Sequence, residues 1–336
     1  METLRMELGE NSHDIYIGRD LLRKADGFLD LNRKVLIVTD DGVPEAYSRA
    51  IASQAKEPFI VTFKAGEASK NLDNWQHLLK VMLEEEFSRK DCVTAVGGGV
   101  IGDMAGFAAS SYMRGVTFYN CPTTTLSQVD SSIGGKVAVD FEGIKNMVGA
   151  FYQPAAVLID IDTLKTQNSR EYANGLAEAV KTGLIGDARL FELLENGDGH
   201  GSIEEIIHRC LLVKKRVVEQ DQHEAGLRKI LNFGHTLGHA VEASADGRYL
   251  HGEAVGIGMV PMCHPDIRER LIRTLKKYEL PVLGEFDRQQ AEKILVHDKK
   301  NAGGMVDAVY VETIGTAEIR PCPVQTLMAA LKEVHV

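Results

Sequence analysis

Through the first half of the chain, short β-branched runs alternate with stretches of helical periodicity. Val35-Leu36-Ile37-Val38-Thr39 reads as a strand, 43–53 as a helix, Phe59-Ile60-Val61-Thr62-Phe63 as a strand and 71–86 as a helix. The runs 92–96, 116–121 and 156–160 add three more strands. Such alternation restricts the fold to an α/β domain with a mostly parallel sheet covered on both faces. Ligands then belong at the carboxyl ends of the strands.

One loop in this series stands out, Ala95-Val96-Gly97-Gly98-Gly99-Val100-Ile101-Gly102-Asp103. A strand precedes it, and Met104-Ala105-Gly106-Phe107-Ala108-Ala109 reads as a helix after it. A strand, a glycine turn and a helix N-terminus make an anion site, because backbone N–H groups and the helix dipole both face the ligand. The turn is not the G-x-G-x-x-G fingerprint, and three glycines alone are equally compatible with a tight turn.

From about residue 169 the pattern becomes helical, over 170–184, 188–195, 203–219, 233–245 and 267–278. The runs 308–311 and 317–319 suggest a hairpin. The change divides the chain into expected domains 1–168 and 169–336, with a cleft between them as a ligand site. In the second, Leu231-Asn232-Phe233-Gly234-His235-Thr236-Leu237-Gly238-His239 is followed by His251-Gly252-Glu253. His235 and His239 share a helix face. Three histidines this close suit a divalent transition metal with a carboxylate from elsewhere, although most H-x-x-x-H pairs are only polar residues at a helix edge. The neighbouring glycines leave room for a ligand or for a close-packed helix. In Gly175-Leu176-Ala177-Glu178-Ala179-Val180-Lys181, Glu178 and Lys181 lie one turn apart. A surface ion pair is the simpler account, but both sit in an apolar segment, where a bare carboxylate is costly and a metal would remove the difficulty.

The 336 residues, 44% hydrophobic and 26% charged, describe an ordinary globular chain of two-domain size. No apolar run reaches membrane-spanning length, and the charged start is unlike a signal peptide. Five scattered cysteines without a C-x-x-C pair suggest reduced thiols in a cytoplasm and not cysteine-bound zinc. A formal charge of −10 argues against nucleic acid as a partner. An anionic substrate therefore needs a local basic cluster. Lys136 and Lys145, in stretches read as glycine-rich or polar loops, are candidates, as are Lys214, Arg228, Lys299 and Lys300. Lys34 reads as an ordinary exposed lysine.

Taken together these segments resemble the 3-dehydroquinate synthase family over nearly the whole chain. The matching stretches include Gly66-Glu67-Ala68-Ser69-Lys70, the Gly97 to Asp103 turn, Met113-Arg114-Gly115, Gln128 to Lys136, Lys145-Asn146-Met147, Gly175 to Lys181, Leu231 to His239, His251-Gly252-Glu253 and Asp298-Lys299-Lys300. The resemblance implies a Rossmann-like N-terminal NAD domain, a mainly helical metal- and substrate-binding C-terminal domain, and a homodimer. It implies one Zn or Co ion on Glu178, His235 and His251, with His239 near the reacting hydroxyl. NAD is expected at Gly98, Gly99 and Asp103, with Asp40, Glu67, Lys70, Thr123, Thr124, Leu126 and Thr166 around it. Substrate contacts are expected from Lys145, Asn146, Lys214, Arg228, Asn232 and one or both of Lys299 and Lys300, with Arg114 reaching the partner subunit's site. Asp130, Lys136, Lys181, Glu224 and His239 make up the implied catalytic set. The implied reaction turns 3-deoxy-D-arabino-heptulosonate 7-phosphate into 3-dehydroquinate and phosphate.

Three departures accompany the resemblance: Gly42 where the family often has Asn, Gln222 where Glu is common, and a shortened stretch around Pro261, which should end or kink a helix. Rival readings are a related sugar-phosphate cyclase of the inosose or valiolone type, a metal-dependent NAD-linked polyol dehydrogenase, and a silent binding protein.

Overall fold

A computed structural model describes residues 1–300 and 305–336. The side chains of residues 297–304 lie outside that description, and with them the expected contacts of Lys299 and Lys300. The chain forms two compact units, Met1–Gln167 and Asn168–Val336.

The first unit is built on seven strands: β1 (Glu2–Met6), β2 (His13–Gly18), β3 (Lys34–Asp40), β4 (Glu57–Phe63), β5 (Cys92–Gly97), β6 (Thr117–Pro122) and a later strand, Ala156–Asp160. Helices α1 (Glu45–Ala52), α2 (Leu72–Glu84) and α3 (Gly99–Ser111) cross between them. A separate hairpin, β7 (Lys136–Phe141) and β8 (Ile144–Phe151), comes before the last strand, β9. The sheet order is β1-β2-β9-β6-β5-β3-β4. Only the β1–β2 pair is antiparallel; the other pairs are parallel, with Leu36 opposite Val93 and Thr94 opposite Tyr119. The chain runs from β3 outward to β4 and then returns to the other side of β3 as β5. The strand order therefore reverses between β3 and β5, where open α/β sheets place their ligands. Asp40 and Gly97 stand at the carboxyl ends of those two strands.

Both faces of the sheet are covered. Leu36, Val38, Val93 and Ala95 pack with Leu78, Met82, Ile101 and Met104 on one side. Val35, Ile37, Cys92 and Val96 pack with Leu22, Ile51 and Leu158 on the other. This period-two division explains the near-continuous apolar runs of the central strands. The polar interior is satisfied at selected points. Gln128, fully buried in a π-helical turn (Ser127–Ser131), directs its amide nitrogen at the carbonyls of Pro122 and Asp160 and the hydroxyl of Thr163, each at 3.0 Å. It thereby joins the ends of β6 and β9.

The second unit consists of α4 (Ser169–Gly186), α5 (Ala188–Asn196), α6 (Ile203–Gln220), α7 (His235–Ala243), α8 (His251–Met259), α9 (Pro265–Lys277) and α10 (Arg288–Lys300). A hairpin, β10 (Met305–Thr313) and β11 (Thr316–Pro323), and then α11 (Val324–Glu333) complete it. Thirteen α4 residues from Tyr172 to Ile185 are buried, so α4 is the axis of this unit. Next to it, α7 and α8 lie unusually close. A Cβ on Gly258 would fall 2.1 Å from the Gly234 carbonyl oxygen, and one on Gly252 would fall 2.0 Å from that of Asn174. Gly234 and Gly238, the glycines beside His235 and His239, serve the same helix packing, since a Cβ on either would fall 2.9 Å from the Val255 backbone.

Several expectations change. The helix after the glycine turn begins at Gly99 and not near Met104. Lys136 and Lys145 are strand residues of a hairpin, not loop residues. Its turn is Glu142-Gly143, both with positive φ (50° and 76°), the backbone of a two-residue hairpin turn without the usual Asn-Gly or Asp-Gly signal. Lys34 is three-quarters covered and donates to the Glu85 carbonyl at 2.7 Å, so it is not an exposed lysine. Helix α8 stops at Met259, and Val260–Met262 forms a single 3-10 turn, as Pro261 requires. Helices α10 and α11 and strands β1 and β2 had no counterpart in the sequence reading, and of α8 only its end at Pro261 was expected. Among the described residues no helix is long and apolar enough to cross a membrane, and no disulfide joins the five cysteines.

Replacing Gln128 by Leu removes one donor group and leaves buried acceptors at the ends of two strands. The expected loss is about 2 kcal/mol, or roughly 4–8 °C in the melting temperature of a unit this size. Thermal unfolding checks it: an unchanged melting temperature would mean that the Gln128 amide does not tie the strands together.

Candidate functional site

In the first unit the glycine turn is tight for a steric reason. Side chains at Gly98 and Gly99 would press on Thr124 and Ser131, each at 3.2 Å. Thr123 donates its backbone N–H to the Gly97 carbonyl at 2.9 Å. The Thr124 and Ser127 hydroxyls are 2.8 Å apart. The turn is thus packed against the loop that carries Thr123, Thr124 and the half-buried Leu126 and Asp130. Lys70 is 4% exposed. Its ammonium donates to Asp103 at 2.6 Å and to the Asn146 side-chain carbonyl. Burial opposes that charge, but Asp103, Glu67 and Asp140 outweigh it and hold the lysine pKa above its ordinary value. Asn146, expected among substrate contacts, is therefore joined to Lys70 of the expected NAD set, which also holds Asp103.

A cleft of about 480 Å³ opens at the end of β3, lined by Thr39, Asp40, Gly42, Val43 and Pro44 among others. Burial raises the Asp40 carboxyl despite hydrogen bonds from the Gly42 and Val43 amides. A side chain at position 42 would start 3.1 Å from the Asp40 carboxylate and 3.0 Å from Ala65, so Gly42 keeps that wall open. The Thr166 hydroxyl lies 3.0 Å from that of Tyr47. Glu67, Lys136 and Lys145 are exposed. Arg114 is exposed too, in a run of positive φ at Met113 (50°), Arg114 (67°) and Gly115 (122°). Two non-glycine residues in succession there carry backbone strain.

In the second unit, Arg170, Asn174 and Glu178 recur every four residues along α4 and so form one stripe. Arg170 grips the Glu253 carboxylate with two hydrogen bonds of 2.7 Å, and Glu253 also accepts the Leu250 N–H at 2.8 Å. The Asn174 side chain accepts the Gly252 N–H at 2.6 Å. These contacts fix the first turn of α8, whose first residue is His251. Glu178 completes the stripe with its side chain 1% exposed, in an ion pair with the equally buried Lys181. The pair is buried, which rules out the surface account.

Glu178 Oε1 lies 3.7 Å from His235 Nε2 and 3.6 Å from His251 Nε2. Neither carboxylate oxygen accepts a well-formed hydrogen bond. His235 Nδ1 is 3.1 Å from the Phe233 carbonyl, which can only accept, so that nitrogen carries the proton. Burial and Lys181 lower His235 to about 3, Glu178 notwithstanding, so the ring is neutral and Nε2 carries a lone pair. A buried carboxylate oxygen and a buried imidazole lone pair then face each other, an arrangement that repels unless a cation stands between them. Spacings of 3.6–3.7 Å are close to the roughly 3.3–3.5 Å separating two ligands of one tetrahedral zinc. The three residues fit a divalent metal. Burial alone would raise the Glu178 carboxyl, but Lys181, His235 and His251 overcome it and hold it well below the usual range. His251 moves the other way: burial lowers it, yet Glu178 and Glu242 raise it to about 9. Its stabilising contribution is complete below 6.5 and is lost as pH rises through about 9. The exposed His239 joins this group, with ligating atoms of all three histidines within 4.8 Å. Geometry alone leaves open which three of the four residues hold an ion.

Close by in sequence, Arg228 is 3% and Lys214 8% exposed. Arg228 donates to the Gln222 backbone carbonyl at 2.5 Å, a contact indifferent to the departure at that side chain. Asn232 donates to Glu224 at 2.7 Å, and Glu224 itself has φ +60°. Sequence reasoning did not single out Arg170, Asn174, Glu242 or Glu253. The signals were present: the four-residue stripe ending at Glu178, and Glu242 two turns after His235.

Comparison with known proteins decides the lineage. Residues 60–174 match the family model described as 3-dehydroquinate synthase N-terminal, and 175–301 the one described as 3-dehydroquinate synthase C-terminal. The chain belongs to the 3-dehydroquinate synthase family. The 3-dehydroquinate synthase of Alkaliphilus metalliredigens is 43% identical, with 95% of each chain covered. Among solved structures, 2-epi-5-epi-valiolone synthase from Streptomyces hygroscopicus, with NAD+ and Zn2+ bound, gives a TM-score of 0.86 at 29% identity, covering 98% of each chain. A 2-deoxy-scyllo-inosose synthase complexed with carbaglucose-6-phosphate, NAD+ and Co2+ shares the fold, with a TM-score of 0.88 at 24% identity over 99% of this chain and 100% of that one. For a member of the 3-dehydroquinate synthase family, the Lys181–Glu178 pair generates a specific expectation. Lys181→Met strands a buried carboxylate and should cost about 3–5 kcal/mol, whereas Glu178→Met with Lys181→Met should recover most of that loss. Thermal unfolding of chelator-treated protein checks both, and additive losses would contradict a buried pair.

Proposed function

We propose that this chain converts 3-deoxy-D-arabino-heptulosonate 7-phosphate to 3-dehydroquinate and phosphate, with bound NAD and one divalent ion, Zn or Co. The observation that carries the reading is the buried Glu178 oxygen facing His235 and His251 in a chain of this family. Glu178, His235 and His251 would hold the ion, and the Gly97 to Asp103 turn with Lys70, Thr123, Thr124 and the Asp40 cleft would hold the dinucleotide. When bound, NAD supplies a hydride acceptor that returns the hydride within the turnover, and the ion supplies Lewis acidity toward the hydroxyl being oxidised.

The chain's own groups do the rest. Lys70 neutralises Asp103 and positions Asn146 beside the nucleotide turn. Lys136, Lys145, Asn146, Lys214, Arg228, Asn232, Lys299 and Lys300 grip phosphate and carboxylate, a local cationic field inside a chain of net charge −10. His239, exposed beside His235 and His251, serves proton transfer at the reacting hydroxyl, with Asp130, Lys181 and Glu224 completing the polar surroundings. Oxidation at C5 acidifies the neighbouring C–H, phosphate is eliminated, the ketone is reduced, and the opened ring closes by aldol addition. Holding one conformer through these steps is an orientation effect. A cytoplasmic homodimer, in which Arg114 reaches the partner subunit's site, belongs to the same reading. No observation favours the inosose, valiolone or polyol dehydrogenase alternatives.

Phosphate release from the heptulosonate phosphate should depend on added divalent ion and stop with chelator, while NADH stays far below phosphate over many turnovers. NADH formed one-to-one with phosphate would instead indicate a dehydrogenase. A second expectation concerns the grip. Lys136→Ala and Lys145→Ala should each lose about a hundredfold in kcat/KM through a lost charge-assisted hydrogen bond, and Arg228→Lys should lose a similar amount because lysine cannot reproduce a planar two-pronged grip. Lys80→Ala, at a side chain 67% exposed, should lose nothing. Equal losses at all four positions would remove the substrate assignment.

A further inference from the structure

The two histidines that face Glu178 are braced differently. His235 donates its Nδ1 proton to a backbone carbonyl two residues before it. His251 has Nδ1 3.1 Å from a carboxylate oxygen of Glu242, on α7, the helix that carries His235. Glu242 follows His235 by seven residues, so one face of α7 presents both. The Glu242 side chain is 13% exposed. A carboxylate only accepts, so the proton lies on His251 Nδ1, and in the neutral ring Nε2 is the lone-pair atom. The backbone of His251 is set by Arg170–Glu253 and Asn174–Gly252, but those contacts leave its ring rotation undetermined. The ring stands between Glu242 and Glu178, one at each nitrogen.

We propose that Glu242 is a positioning residue for the metal: by taking the Nδ1 proton of His251 it fixes the ring orientation and tautomer in which Nε2 faces Glu178. Outer partners of this kind typically contribute tenfold to a hundredfold in metal affinity. The inference rests on the reading that Glu178, His235 and His251 hold a divalent ion.

The test is titration of the full chain, stripped of divalent ions, with Co2+. Affinity is read by chelator competition and ligand geometry from the visible Co2+ bands, and thermal unfolding without Co2+ accompanies each variant. Wild type should bind, and His251→Ala should lose binding. Glu242→Ala should bind 10–100-fold more weakly with shifted bands. Glu242→Gln keeps an acceptor of the same length and should recover most of the loss. Glu242→Asp keeps the charge but withdraws it by one methylene, so it should behave like the alanine variant. Should Glu242→Ala fail to fold, the Gln and Asp variants decide. Wild-type affinity and spectrum in Glu242→Ala, with binding lost in His251→Ala, would overturn this proposal and leave the metal reading intact. Wild-type affinity in Glu242→Asp would overturn positioning in favour of bare charge. Failure of wild type to bind Co2+ would overturn both.

Discussion

A carboxylate and an imidazole lone pair, buried and pointed at each other, form the constraint on which the second unit depends. Lys181, one turn away, together with the neighbouring His235 and His251, holds the Glu178 carboxyl ionised against its burial. Breaking a buried pair of this kind is strongly destabilising. The surrounding helices hold the arrangement in place. Arg170 and Asn174, on the same stripe of α4, fix the start of α8, and Gly252 and Gly258 let α8 approach α4 and α7 more closely than a methyl group would allow. Packing and electrostatics share one geometry here.

The dinucleotide site proposed in the first unit faces a different problem, the holding of a phosphate-bearing group by a chain of net negative charge. Its solution is largely backbone. The strand order reverses between β3 and β5, and the glycine turn at the end of β5 opens directly into α3, with Gly98 as the N-cap. Helix N-termini favour anions. Lys70 adds a buried cation held by Asp103 and Asn146.

Much of this was legible in the sequence, for identifiable reasons. Central strands buried on both faces read as continuous β-branched runs, so β3, β5, β6 and β9 stood out. The edge strand β1 and its neighbour β2 follow no such pattern. The hairpin β7–β8 reads as loop from its sequence because Gly134 and Gly135 dominate its approach and its turn is Glu142-Gly143. The metal group was visible as spacing, but Glu178 and its burial depended on contacts between helices far apart in sequence. Glu242 and the Arg170–Glu253 pair escaped notice because a charged residue on an amphipathic helix reads as solvated until its partner is seen. Lys34 failed in the same way: its cover comes from the Glu85 carbonyl, distant in the chain.

X-ray absorption at the metal edge of Co2+-loaded protein addresses the central claim most directly, because it reports which atoms surround the ion. The account predicts two imidazole nitrogens and one carboxylate oxygen from the chain at about 2.0–2.2 Å, with the signal of His239→Ala unchanged and that of His235→Ala reduced by one imidazole. A first sphere of three imidazoles that loses one in His239→Ala, or one without protein nitrogen, would contradict it.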